Sequence, residues 1–237
     1  MKKLLVIAIV LAPAAAFAQG IAGTPHDLSD TNATYTSTTN QICVYCHTPH
    51  NANSTLALWN RTIPSYQLDW TDTGTTSDGT PLGGVTGGQP TQRCLSCHDG
   101  VTAMSAVTRP PQSGAITVTG GNLDGAGVLD GGTSLAIFDN TAMDGMHPVS
   151  IPYAGEIYLG VTSAATITAV GGGGYADGSS GTVATMPLYQ GTTGGDSYGI
   201  ECGSCHEPHI YGANTDLQPY LRVTMSGSQM CLGCHMK

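Results

Sequence analysis

Eight cysteines and eight histidines hold the chemistry of this 237-residue chain. All eight cysteines fall in four copies of one spelling, Cys-x-x-Cys-His: Cys43, Cys46 and His47; Cys94, Cys97 and His98; Cys202, Cys205 and His206; Cys231, Cys234 and His235. In an exported chain this spelling reads as c-type haem attachment. Two thiols add to the vinyl groups of one haem, and the next residue supplies the proximal imidazole. Paired CxxC units can also build structural zinc sites, and cysteines can form disulfides. The histidine directly after every CxxC, together with four further histidines, favours four covalently attached haem c groups.

Those further histidines are His26, His50, His147 and His209. Four irons need four sixth ligands, so the count closes with bis-histidine coordination. Methionine is the competing ligand and raises the potential where it is used. Met104, Met143, Met146, Met186, Met225 and Met230 are available, but none shares the repeated placement of the histidines. His50 and His209 each lie three residues after a proximal histidine. Residues i and i+3 project from neighbouring faces of a helical turn, so one iron cannot take both on opposite sides. Each of these rings must serve a different haem, held close to the first. Proline at 49 and 208 disfavours helix at the preceding residue, which tightens the turn without changing that conclusion.

Positioning these groups falls to a repeated framework. Residues 19–110 contain His26, then Cys-x-x-Cys-His-Thr-Pro-His, then Cys-Leu-Ser-Cys-His. Residues 147–237 contain His147, then Cys-x-x-Cys-His-Glu-Pro-His, then Cys-Leu-Gly-Cys-His. A duplicated dihaem unit is the simplest account, with 111–146 as a Gly-rich connection. Short helical turns at each motif would present the thiols and imidazole together. Ala115–Thr119, Glu156–Thr162, Thr166–Val170 and Thr182–Tyr189 have strand character. Gly120–Gly132 and Gly171–Gly181 read as loops. Trp59 and Tyr66 could pack on haem edges or in an ordinary core. Asp99 and Glu207 could hydrogen-bond a proximal imidazole. Arg61, Arg93, Arg109 and Arg222 could meet haem propionates or solvent.

Residues 1–18 read as a secretory signal peptide, with Lys2 and Lys3, an apolar run and Ala16-Phe17-Ala18 before the cut. That places the chain outside the cytoplasm, periplasmic or extracellular, without a membrane anchor. The remaining basic residues are Arg61, Arg93, Arg109, Arg222 and Lys237, against sixteen acids. This balance excludes nucleic acid and anionic membrane surfaces as natural partners. Aromatic residues make up only 6% of the chain and glycines number 33, so a protein-only core is thin. The expected fold is mostly irregular, with short helices at the motifs, a few short strands and haems at the centre.

Cys43–Asn51, Leu58-Trp59-Asn60-Arg61, Cys94–Gly100, His147-Pro148-Val149-Ser150 and Cys202–His209 together make the chain resemble the doubled-CXXCH multihaem cytochromes. That broad group includes extracellular cytochromes that polymerise into conductive filaments. The resemblance implies a loop-built protein with haems in alternating stacked and T-shaped pairs. It also implies that His50 ligates the haem at Cys231–His235 of the next protomer, making a homopolymer. The leading expectation is electron transfer without chemistry on a substrate, through low-potential bis-histidine irons to redox proteins or extracellular acceptors. The alternatives are a multihaem oxyanion reductase, which needs one open axial position, or its dedicated electron-donating subunit.

Overall fold

Glycine and proline interrupt this sequence too often for long elements, and the structure is accordingly loop-rich. The computed structural model describes residues 20–53, 56–76, 79, 81–111, 114–130, 142–152, 169–170, 186–190, 198–209 and 220–232. The expected signal peptide, the strand at 156–162 and the loop at 171–181 lie outside the described residues.

Strand β1 (Tyr35–Ser37) pairs antiparallel with β4 (Val118–Gly120), and β2 (Gln67–Leu68) with β3 (Val85–Thr86). A four-stranded sheet runs β5 (Ile151–Pro152), β8 (Tyr198–Ile200), β7 (Leu188–Gln190), β6 (Ala169–Val170), parallel only between β6 and β7. The strand expected at 115–119 is observed at Val118–Gly120, and those expected at 166–170 and 182–189 overlap β6 and β7, with 166–168 and 182–185 outside the described residues.

Each motif sits on a helical turn. The first begins within a 3-10 turn at Ile42–Tyr45, with His47 beyond it in a bridge to Trp59. The second ends α1 (Gln89–His98), which starts after Gly88 with Pro90 in its first turn, where the missing amide proton costs nothing. The third forms α2 (Cys202–Cys205), and the fourth begins on α3 (Gln229–Leu232).

Two apolar clusters support these turns. Leu28, Tyr35, Val44, Tyr45, Met104, Ile116, Val118 and Leu129 pack beneath the first motif. Leu68, Trp70, Leu82, Leu95, Met143, Val149, Ile151, Leu188 and Ile200 pack beneath the second and third, drawing on both halves of the sequence. Met104 and Met143 are thereby committed to protein packing.

The halves are also clasped by a buried carboxylate. Glu201 caps α2 in a capping box with Ser204. Its Oε2 accepts from the Thr91 amide at 3.3 Å, the Thr91 hydroxyl and the Ser150 hydroxyl at 3.0 Å. One negative charge thus meets the N-terminal turns of two helices, α1 and α2, where the peptide dipoles favour it. Gly88 makes room: a Cβ there would lie 2.0 Å from Glu201 Oε1.

Candidate haem-binding site

The chain after the first motif folds back onto it. Thr48 N donates to Leu58 O at 2.9 Å and Asn60 N to Cys46 O at 2.8 Å, pairing His47 with Trp59. Leu58-Trp59-Asn60-Arg61 is therefore a strap, and its side chains join the first motif to the second. Trp59 Nε1 donates to Ser96 Oγ at 3.3 Å, and Asn60 Nδ2 to Val44 O at 2.7 Å. Arg61, 1% exposed, donates to the carbonyls of Ser96, Met104 and Ala103 at 3.0, 2.9 and 2.7 Å. Arg61 is thus structural, donating to one carbonyl of α1 and two of the loop after it.

The second half repeats this backbone pattern with different residues. Glu207 N donates to Tyr220 O at 2.7 Å and Arg222 N to Cys205 O at 2.9 Å, pairing His206 with Leu221. Thr48 and Glu207 therefore occupy equivalent backbone positions, as do Asn60 and Arg222.

Histidines from the two halves meet between these straps. His47 and His209 have ring centres 6.0 Å apart with planes at 19°. His26 and His98 are also 6.0 Å apart, with planes at 62°. A first-row metal bonds an imidazole nitrogen at about 2.0 Å, and the ring centre lies roughly 1.1 Å behind it, so two imidazoles on one metal have centres about 6.2 Å apart. Both pairs have the separation of trans axial ligands. Each pairs a proximal position with one of the further histidines. His206 lies close enough to His98 to lower its own basicity further, after burial has done most of it.

Three of these rings are oriented by a hydrogen bond at one nitrogen, the usual arrangement around a metal-ligating histidine. His47 Nδ1 bonds the Ala57 carbonyl. His209 Nδ1 donates to Glu207 Oε1 at 2.9 Å, while Glu207 Oε2 meets Arg222 Nη2 at 2.7 Å. His26 bonds the Pro208 carbonyl, stacks on Tyr220 at 4.2 Å, and has its amide bound by the Tyr220 hydroxyl at 3.0 Å. Burial, and secondarily His98, push the His26 pKa down to about 4, so the ring is neutral and its other nitrogen can donate to iron. Burial also lowers His47. Burial opposes ionisation of Glu207, but the His209 hydrogen bond and Arg222 outweigh it and hold the carboxyl below its ordinary range.

Thiols of different motifs are neighbours. Burial, with Cys97 adding to it, pushes the Cys46 thiol up to about 12. Cys94 and Cys202 share a hydrogen bond that raises the first and lowers the second. Among the described residues no group of three His, Cys, Asp or Glu converges as a metal site, whereas structural zinc takes four ligands.

The donor set fits haem. Two imidazole pairs have axial spacing, and attachment thiols flank them. Arg93, 4% exposed and one residue before Cys94, keeps Nε and Nη2 buried without a hydrogen-bond partner. Buried cationic donors call for an anion, and a haem brings carboxylates to this region.

Residues 197–237 match the family described as the doubled CXXCH motif. No curated protein matches the chain. The doubled-CXXCH segment holds the third and fourth motifs and His209, one member of the two imidazole pairs, while His26, His47 and His98 lie outside it. The match spans the last 41 residues of the chain; it indicates covalently bound haem c there and supports a multihaem c-type cytochrome. Such cytochromes are exported, and among the described residues no helix is long and apolar enough to cross a membrane.

The remaining site residues are distributed more widely. His50 and His147 are exposed, His147 with Nδ1 donating to the Pro148 carbonyl at 2.8 Å. Cys231 is exposed, and Cys234 and His235 lie outside the described residues. Asp99 is turned away from imidazole: it accepts from the Val101 and Thr102 amides, the Thr102 hydroxyl and the Tyr66 hydroxyl. Glu207 orients a further histidine rather than a proximal one. Sequence reasoning missed Tyr220 as its counterpart in bracing His26, and no local spacing could reveal it across 194 residues.

Proposed function

We propose that this protein is an exported tetrahaem c-type cytochrome that carries electrons through closely spaced bis-histidine haems. The two imidazole pairs at 6.0 Å carry the reading. Cys43, Cys46 and His47 would hold one haem with His209 as its sixth ligand. Cys94, Cys97 and His98 would hold a second with His26. Cys202, Cys205 and His206, and Cys231, Cys234 and His235, would hold the third and fourth, leaving His50 and His147 as their sixth ligands. The bound haems supply reversible one-electron chemistry at iron.

The protein's own residues do the rest. His47 with His209, and His98 with His26, would hold their irons and leave small oxidants and substrates no open position there. Without methionine ligation the potentials stay low. The neighbouring thiols of Cys46 and Cys97, and of Cys94 and Cys202, bring three attachment sites side by side, as an electron path requires. Residues 19–110 and 147–237 act as two dihaem units joined by 111–146, and the second braces the ligands of the first.

A further element of the proposal is assembly into an extracellular filament, in which His50 ligates the haem at Cys231–His235 of the next protomer. The exposure of His50 supports it. Redox partners would then be neighbouring copies and an external acceptor.

One preparation tests these statements. The purified protein should carry four covalent haems by mass and haemochrome assay, all low-spin, and should bind no carbon monoxide when reduced. Binding at one iron in the unmodified protein would point instead to the reductase. Negative-stain micrographs should show filaments that His50→Ala abolishes, and normal filaments from that variant would end the assembly proposal.

A further inference from the structure

The duplicated motif is not duplicated in the residue before its proline. The first half has Thr48 and the second has Glu207, and the matching backbone hydrogen bonds show that the two positions are equivalent. The partner position differs in step: Asn60 in the first strap, Arg222 in the second. In the first half Thr48 Oγ1 turns to the His50 carbonyl at 3.0 Å, and Asn60 is spent on Val44 O and Arg109 O. In the second half Glu207 Oε1 takes the His209 Nδ1 proton at 2.9 Å, while Oε2 meets Arg222. Arg222 is itself fixed, with Nε donating to Gly203 O at 2.8 Å.

A carboxylate on Nδ1–H makes an imidazole a stronger electron donor through its other nitrogen. Stronger donation favours ferric over ferrous iron and so lowers the reduction potential. A threonine hydroxyl bound to a backbone carbonyl has no such effect. We propose that Glu207, held by Arg222, is a redox-tuning positioning residue: through His209 it sets the potential of the haem at Cys43–His47 below that of the haem ligated by His50. The two halves are thereby made unequal, and a gradient between otherwise similar haems gives electron flow a preferred direction. This inference rests on the reading of His209 as a haem ligand.

The test is spectroelectrochemical titration of the holo-protein in wild-type, Glu207→Gln, Glu207→Thr and Glu207→Asp forms. Gln preserves shape and removes the charge, and Thr is the residue that the same backbone site already accommodates in the first half. One of the four redox transitions should move to higher potential in both, with the other three unmoved. Asp should return it toward wild type. Four low-spin haems with unchanged potentials in Glu207→Gln would overturn the role of Glu207 while leaving the cytochrome reading intact. Should the Gln variant fail to mature, the Thr variant decides by the same criterion. A wild-type protein lacking covalent haem, or lacking bis-histidine spectra, would instead overturn the reading on which the inference rests.

Discussion

On the bis-histidine reading, removing His209 should open the iron held by His47. The ring centres of His47 and His209 are 6.0 Å apart, close to the roughly 6.2 Å of two imidazoles on one metal. His50 is exposed and, among the described residues, faces no proximal ring, so it does not stand ready to replace the lost one. The cost to folding is small. Glu207 loses one charge-assisted hydrogen bond, worth about 1.5–3 kcal/mol, but keeps Arg222 at 2.7 Å, and a domain has about 5–15 kcal/mol of stability to lose. His209→Ala should therefore mature with all its haems and, once reduced, bind about one carbon monoxide per four haems. The assay is optical titration of the reduced protein with carbon monoxide. Its control adds Cys43→Ser and Cys46→Ser, which remove the haem facing His47. In that triple variant carbon monoxide binding should disappear. Binding that persists there would show that His209 serves another iron and would refute the pairing.

Tyr220→Leu removes the ring stacked 4.2 Å from His26 and the hydroxyl that binds its amide. The loss is about 0.5–1.5 kcal/mol for the aromatic contact plus about 1 kcal/mol for the hydrogen bond, seen in the melting temperature together with a partial high-spin band that Tyr220→Phe reduces. Asp99 gives a pH signature: burial opposes its charge, but hydrogen bonds from the Thr102 hydroxyl, the Val101 and Thr102 amides and Tyr66 outweigh it and lower its pKa. A folded value below the unfolded one means stability present above the unfolded pKa of about 3.9 and lost as pH falls through the folded value. Asp99→Asn should therefore be less stable than wild type in urea at neutral pH and approach it at pH values below the ordinary aspartate range.

What could be read from the sequence was the covalent chemistry and its repeat, because Cys-x-x-Cys-His is local and its spacing is its mechanism. The same is true of His209: three residues from His206, it had to leave its own motif, and its ring lies beside His47. The helical turns at the motifs were legible for the same reason. The second strap was not. Tyr220-Leu221-Arg222 shares no residue type with Leu58-Trp59-Asn60, since the shared feature is a backbone hydrogen-bond pattern that leaves side chains free to vary. The Glu201 clasp on Thr91 and Ser150 was hidden too, because contacts across 110 and 51 residues leave no periodicity. Low aromatic content suggested a thin protein core, and the two apolar clusters are accordingly built mainly from Leu, Val, Ile and Met, with Trp70 in one and Tyr35 and Tyr45 in the other.

If the halves are duplicated dihaem units, the bracing contacts would keep them from being separable. His26 belongs to the first half, but Pro208 and Tyr220 of the second hold its ring. His209 belongs to the second half, but it faces His47 of the first. On the bis-histidine reading, the first half by itself would have its motif irons short of ordered sixth ligands, so its coordination chemistry needs the second. His50 is the repeat-related twin of His209. Among the described histidines it faces no proximal ring as His209 does, and it is exposed. A design in which each half lends its CxxCHxPH histidine outward has no natural end within one chain. The first half's loan is left for a neighbour, and this is the physical content of the filament proposal: assembly would complete a ligand set that the single chain leaves open.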